Sequence, residues 1–238
     1  MISVVIPTMW KADVFKVMLP LLLDHDKIGE VIIIDNHVSA RFSDLPSHSK
    51  IKLLEQKENI YVNAAWNLGA ETSQFDKLCI MNDDIVFDIT VFDYLYDKIT
   101  EKIGTIGPGD SSIKHFYLES PNLHLEVMDK LSLTNRDFTR GYGTLLFLHK
   151  NNYLKIPDEL VVDFGDAFLY DYNSLQKRQN YKIVDFCLKT KMCTTSSSSY
   201  QIFEIKKKEL DSHIEIFKKY LTSKVKKGKL LSPPIVGV

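Results

Sequence analysis

Three short apolar runs open the chain. Residues 2–7 (ISVVIP) and 30–35 (EVIIID) are mostly β-branched, residues 77–81 (KLCIM) are apolar after the first, and none of the three alternates polar positions. Such runs fit strands covered on both faces, as in a parallel sheet. Residues 13–23 carry a helical pattern, with Asp13 as the expected N-cap and Pro20 expected to kink or interrupt it. A second helix is predicted over residues 63–73, so the order β-α-β-α-β argues for a Rossmann-like α/β sheet. Residues 90–103 place Val91, Phe92, Leu95 and Ile99 on one helical face. A short strand, IGTIG, then leads into a Gly-, Pro- and Ser-rich loop at 107–112. The pattern further predicts a β-hairpin over 115–127 turning at Ser120-Pro121-Asn122, a buried strand at 143–148 and a helix over 165–179. After these come a strand at 181–186 and a polar loop at 194–199.

The last periodic segment, 202–224, spaces Leu210, Ile214, Phe217 and Leu221 as one helical stripe. Lysines 206, 207, 208, 218, 219 and 224 fill its other faces. One reading is a helix packed on the domain with a solvated basic face. The other is a helix that docks a membrane surface or a partner. The chain thus divides into a domain over 1–200 and a C-terminal basic amphipathic helix and tail over 201–238.

Composition narrows the classes. A formal net charge of -1 over 238 residues gives no global drive toward nucleic acid or anionic membrane, and no nucleic-acid partner is expected. Cys79, Cys187 and Cys193 have no metal-ligand spacing and suit a reducing compartment. There is no signal-peptide pattern and no apolar run near ~18 residues, so the expected location is cytoplasmic, at most peripheral to a membrane.

The chemistry gathers where apolar runs end. In an open parallel sheet, ligands bind at the carboxyl ends of strands. Those ends read Pro7-Thr8, Asp35-Asn36-His37, Asn82-Asp83-Asp84 and Asp185-Phe186. Acidic groups there suit a hard cation, Mg²⁺ or Mn²⁺, which would neutralise a diphosphate. No GxGxxG or P-loop is present to cradle phosphate with backbone amides. A lone Asp after a strand is commonly a turn or cap residue, and that reading stays open for Asp35. It is weaker for Asp83-Asp84, because adjacent carboxylates repel unless a cation or hydrogen bonds offset them.

At these residues the chain resembles the family-2-like glycosyltransferases of the GT-A fold. The resemblance runs in order through SVVIPT, EVIIIDNHVS, ENIYVNAAWNLGA, LCIMNDDIVF and GTLLFLHKNNYLKIPDELVVDFGD. It implies a mostly parallel central sheet flanked by helices and a hexosyltransferase-type enzyme. The enzyme would move sugar from a nucleoside-diphosphate sugar to a hydroxyl of a glycan or glycoconjugate. It also implies roles. Pro7, Thr8 and Asp35 would line the nucleoside pocket, Asp35 accepting from a pyrimidine ring N–H. Asn63 and Asn67 would lie near the nucleotide or sugar. Asn82 and Asp83 would contact the donor, Asp84 would ligate Mn²⁺ or Mg²⁺, and Asp166 would be the general base of an inverting reaction.

The sequence departs from the family at several places. Asn82 stands where an acidic residue is usual, as in rhamnosyltransferase-like relatives, which points to a deoxyhexose donor. Tyr61 stands where the family has Gly. The usual Glu-Asp pair is reduced to Asp166, followed by Ala167, which leaves Asp163 as a rival base. His213 is expected at the surface, and Trp66, Tyr170 and Tyr172 are expected to pack rather than stack on a sugar. Two alternatives stand beside the transferase: a sugar-phosphate nucleotidyltransferase, and a non-catalytic module that binds a nucleotide sugar or glycan.

Overall fold

The computed structural model describes residues 1–43, 45–109, 122–128, 141–190 and 200–225. The apolar runs pair as expected, with one strand more. β1 (Ile2–Thr8), β2 (Ile28–Asp35), β3 (Ile51–Glu55) and β4 (Lys77–Met81) lie parallel in the spatial order β3-β2-β1-β4. β3 has no clear sequence signal. It is an edge strand, IKLLE, whose side chains are only partly buried, so it lacks the apolar run of a central strand.

Beyond β4 the sheet continues through β8 (Leu145–His149), β6 (Ile103–Pro108), β9 (Gln179–Val184) and β7 (His124–Met128). β8 runs antiparallel to β4 and β6, and β7 antiparallel to β9, so six of the eight strands share one direction. A separate ribbon pairs β5 (Ile85–Phe87) with β10 (Leu188–Thr190). The expected hairpin at 115–127 takes another form: its described arm, β7, pairs with β9. Residues 110–121 and the expected polar loop at 194–199 lie outside the described residues.

Alternation along each buried strand feeds two cores. Ile2, Val4 and Ile6 join α1 (Phe15–Asp24) and α3 (Val91–Tyr96) on one face of the sheet. Val5, Ile32, Ile34, Leu78 and Ile80 join α2 (Tyr61–Thr72), α4 (Gly165–Leu175) and α5 (Tyr200–Val225) on the other. Three lysines close helix ends, as cations do where carbonyls are left over. Lys50 Nζ donates to the carbonyls of Leu23 and His25 after α1, at 2.7 and 2.9 Å. Lys77 Nζ serves Tyr96 and Ile99 after α3, and Lys150 Nζ serves Ser73 after α2.

Several local expectations change. α1 begins at Phe15 without a side-chain cap, so Asp13 is not its N-cap. Pro20 lies inside α1 without ending it; it is exposed, while Phe15, Met18, Leu19, Leu22 and Leu23 anchor the opposite face. The helix expected over 90–103 stops at Tyr96. The buried stripe of α5 is rotated from the expected one. Ile202, Glu209, His213, Ile216, Phe217 and Leu221 are buried, whereas Leu210 and Ile214 are 61% and 43% exposed. The helix therefore packs on the domain through a face whose centre is polar. No described helix is long and apolar enough to cross a membrane.

Candidate active site

Register brings the first polar groups together. β1 and β2 pair so that Thr8 lies beside Asp35, and β2 and β3 place Asp35 beside Glu55. On the other side of β1, the chain leaving β4 reaches Asp83, whose Oδ2 accepts from Thr8 Oγ1 at 2.6 Å. Thr8 Oγ1 in turn accepts from the Trp10 N–H at 2.8 Å. Asp83 is buried, and that desolvation pushes its carboxyl up to about 6, against the lowering effect of the Thr8 hydrogen bond. Asp84 beside it is also buried.

Asp35 is fully buried and its oxygens are engaged. Oδ1 accepts from Trp10 Nε1 at 2.7 Å and from the His37 N–H at 3.0 Å. Oδ2 accepts from Arg41 Nε at 2.8 Å and Nη2 at 2.5 Å, and Arg41 Nη2 also reaches Glu55. These protein donors hold the atoms that the family resemblance gives to a pyrimidine ring N–H.

The opposite wall comes from the segment ahead of α4. Gly143 packs against Asp166; a Cβ on Gly143 would stand 2.9 Å from the Asp166 Oδ2, so only glycine admits that carboxylate here. Burial raises the Asp166 carboxyl above its ordinary value, opposed by backbone N–H groups of Ala167 and Gly143, with a further push upward from the charge of Asp163. Asp163 itself pairs with Lys206 of α5 at 3.1 Å. Asn63 Nδ2 donates to the Asp163 carbonyl at 2.9 Å, while Asn63 Oδ1 is buried with no hydrogen-bond partner among the described residues.

A feature with no sequence signal holds this wall in place. Glu209 of α5 is 2% exposed and accepts from the backbone N–H groups of Val161, Val162 and Asp163. Four residues on, His213 stacks on Phe164 with ring centroids 4.1 Å apart and planes 6° apart. His213 is therefore a buried packing residue, not a surface one. In the sequence, both residues look like members of a solvated face, because only the fold shows which stripe of α5 meets the domain.

A cavity of about 280 Å³ opens between these walls. Of the sequence-predicted residues, Pro7, Thr8, Asn63, Asn82, Asp83, Asp84 and Asp166 line it, as does the rival base Asp163. Asp35 and Asn67 do not. Asn67 instead holds the chain ahead of the wall: its Nδ2 donates to the Ile156 carbonyl, and its Oδ1 accepts from Tyr153 Oη and the Ile156 N–H, each at 2.9 Å. Trp66 lines the cavity and is buried in the same core as Tyr170, whose hydroxyl donates to the Met128 carbonyl. Tyr61, Lys206 and Ile202 also line it and were not candidates from sequence. Among the described residues, no three His, Cys, Asp or Glu side chains form a metal cage. Asp83 and Asp84 still present two carboxylates at one strand end.

No family model matches the sequence, and no curated protein matches it with significance. Solved structures do. Residues 1–349 of S. aureus TarS superpose with a TM-score of 0.53 at 14% identity, over 88% of this chain and 65% of that one. The same piece in complex with UDP-GlcNAc gives 0.54 at 13% identity, over 86% and 64%. The longer TarS structure gives 0.51 at 13% identity, over 86% of this chain and 38% of that one. The chain thus spans less than two thirds of these neighbours. The shared architecture is the GT-A glycosyltransferase fold.

Proposed function

We propose that this chain is a glycosyltransferase that binds a nucleoside-diphosphate sugar in the cavity and transfers the sugar to a hydroxyl of a glycan or glycoconjugate. The observation that carries this reading is the convergence, in one cavity, of Asp83-Asp84 at the end of β4 with Asp166 on the first turn of α4. A strand-end acidic pair across the cavity from a half-buried carboxylate suits a donor on one side and an acceptor hydroxyl on the other.

Asp166 accepts the acceptor's proton as that oxygen attacks the anomeric carbon. The bond from the anomeric carbon to the phosphate oxygen breaks, and the nucleoside diphosphate leaves with the electron pair. The raised basicity that burial gives Asp166 suits this role better than Asp163, which is tied to Lys206. Lys206 is the one Lys or Arg among the described lining residues, set against four carboxylates at Asp83, Asp84, Asp163 and Asp166. A diphosphate therefore needs cations to enter. Mg²⁺-type ions use one or two protein carboxylates and complete their coordination with substrate phosphates, so the two carboxylates at the end of β4 suit such an ion. Asp84, with Asp83 beside it, would hold the ion, whose charge would stabilise the departing diphosphate. Two donor sugars are candidates: a deoxyhexose, suggested by Asn82, and N-acetylglucosamine, suggested by the sugar nucleotide bound to TarS.

The test is a thermal-shift screen of nucleoside diphosphates and nucleotide sugars with and without Mn²⁺, and then a donor-hydrolysis assay. Selective stabilisation by one donor and release of its nucleoside diphosphate are expected. Stabilisation without release would make the chain a binding module. Pyrophosphate release from a nucleoside triphosphate and a sugar phosphate would make it a nucleotidyltransferase.

A further inference from the structure

Tyr61 occupies a backbone conformation that tyrosine disfavours. Its φ is 62°, in the left-handed region that glycine enters freely and a bulky residue enters at a cost. Hydrogen bonds hold the backbone on either side of it. The Tyr61 N–H donates to Asn59 Oδ1 at 2.9 Å, the Ile60 N–H to Asn36 Oδ1 at 3.3 Å and the Asn63 N–H to the Val161 carbonyl at 3.1 Å. A non-glycine residue kept in such a place against its preference is a sign of function.

The side chain is not used for packing. Ile60 and Val62 on either side pack against the α2 core, while Tyr61 belongs to neither core cluster among the described residues. It is half-buried, lines the cavity, and its hydroxyl accepts from Gln201 Nε2 of α5 at 3.3 Å. That contact steadies the ring at the cavity wall, beside Asn36, Asn59 and Asn63.

We propose that Tyr61 is a ring-binding residue of the donor site, retained in the left-handed conformation because its aromatic face stacks on a ring of the donor, base or sugar. This rests on the donor-binding reading of the cavity. The alternative role, a turn residue, is better served by glycine.

The experiment measures melting temperature and calorimetric affinity for wild type, Tyr61→Gly and Tyr61→Phe. The ligands are UDP, dTDP and GDP, with UDP-GlcNAc and dTDP-rhamnose, all in Mn²⁺. Tyr61→Gly should melt at or above wild type, by up to about 4 °C, because backbone strain is relieved. Its affinity should fall about tenfold, while Tyr61→Phe keeps most of the binding. A fall with both diphosphates and nucleotide sugars places the ring on the nucleoside; a fall confined to nucleotide sugars places it on the sugar. Unchanged affinity for both classes, in a wild type that binds them, overturns this proposal alone. So does a Tyr61→Gly protein that melts far below wild type, since the ring would then be a structural prop. A wild type that binds none of the ligands overturns the donor reading together with it.

Discussion

Single residues in this protein trade comfort for position. Of the non-glycine residues with positive φ, Trp10, Tyr61 and Phe164 border the site, whereas Lys177 and Asp185 lie away from the cavity lining: Tyr61 and Phe164 line the cavity, while Trp10 bonds to both Thr8 and Asp35. Asp166 shows the same trade in its protonation. Its carboxyl is raised by burial, so the folded state disfavours its ionised form. The stability tied to this group is present in acid and is lost as pH rises through the folded-state value. Asp166→Asn should therefore melt higher than wild type at pH 8, with the gap closing as the pH is lowered. The same substitution should leave donor affinity intact and lower kcat by about 10²–10⁴-fold, as expected for loss of a general base. In wild type, kcat/KM should fall toward acid with a midpoint above the ordinary carboxylate range of about 4. A pH-rate profile and paired melting curves check both signs.

At the scale of elements, α5 is the part whose role the sequence hides most. Its apolar residues at 210, 214, 217 and 221 are evenly spaced, yet the fold buries Glu209 and His213 and leaves Leu210 and Ile214 in solvent. A helical period identifies a helix but leaves its facing stripe to the partner surface. Here that surface offers three bare N–H groups, at Val161, Val162 and Asp163, that only an acceptor satisfies. Glu209→Ala should cost about 1–3 kcal/mol, read as a lowered denaturation midpoint, since it strands three partly buried donors and leaves a cavity on a buried helix face. Lys206→Ala should leave stability nearly unchanged, because its pair with Asp163 is about one-third exposed. It should weaken nucleoside diphosphate binding about tenfold, while binding of the nucleoside alone holds.

Over the whole molecule, the readable part was the half built from buried strands. β1, β2 and β4 stand out as apolar runs, and the polar residues at the ends of β1 and β4 lie where an open sheet collects them. β8 stands out as an apolar run as well, but its antiparallel direction, the edge strand β3 and the pairing of β7 with β9 depend on tertiary partners and carry no local mark. The same limit applies to the site. Thr8, Asp83 and Asp166 could be named from the strand ends and the family resemblance. The occupied state of Asp35 could not, because Arg41 and Trp10 reach it across loops. The four carboxylates around the cavity also set a property of the molecule as a whole. Removing divalent ions with EDTA should lower nucleoside diphosphate affinity by at least about tenfold, with Mn²⁺ restoring it.

The bond from Glu209 to residues 161–163 has a consequence in time. During synthesis the sheet and its strand-end carboxylates emerge first, and N-terminal parts of a chain fold ahead of C-terminal ones. Until Glu209 has cleared the ribosome, the three N–H groups ahead of α4 have no acceptor from this helix, and Phe164 has no His213 to lie against. The nascent chain thus holds the carboxylates at the end of β4 before the wall that faces them across the cavity is braced. α5 sets the moment at which the cavity becomes whole.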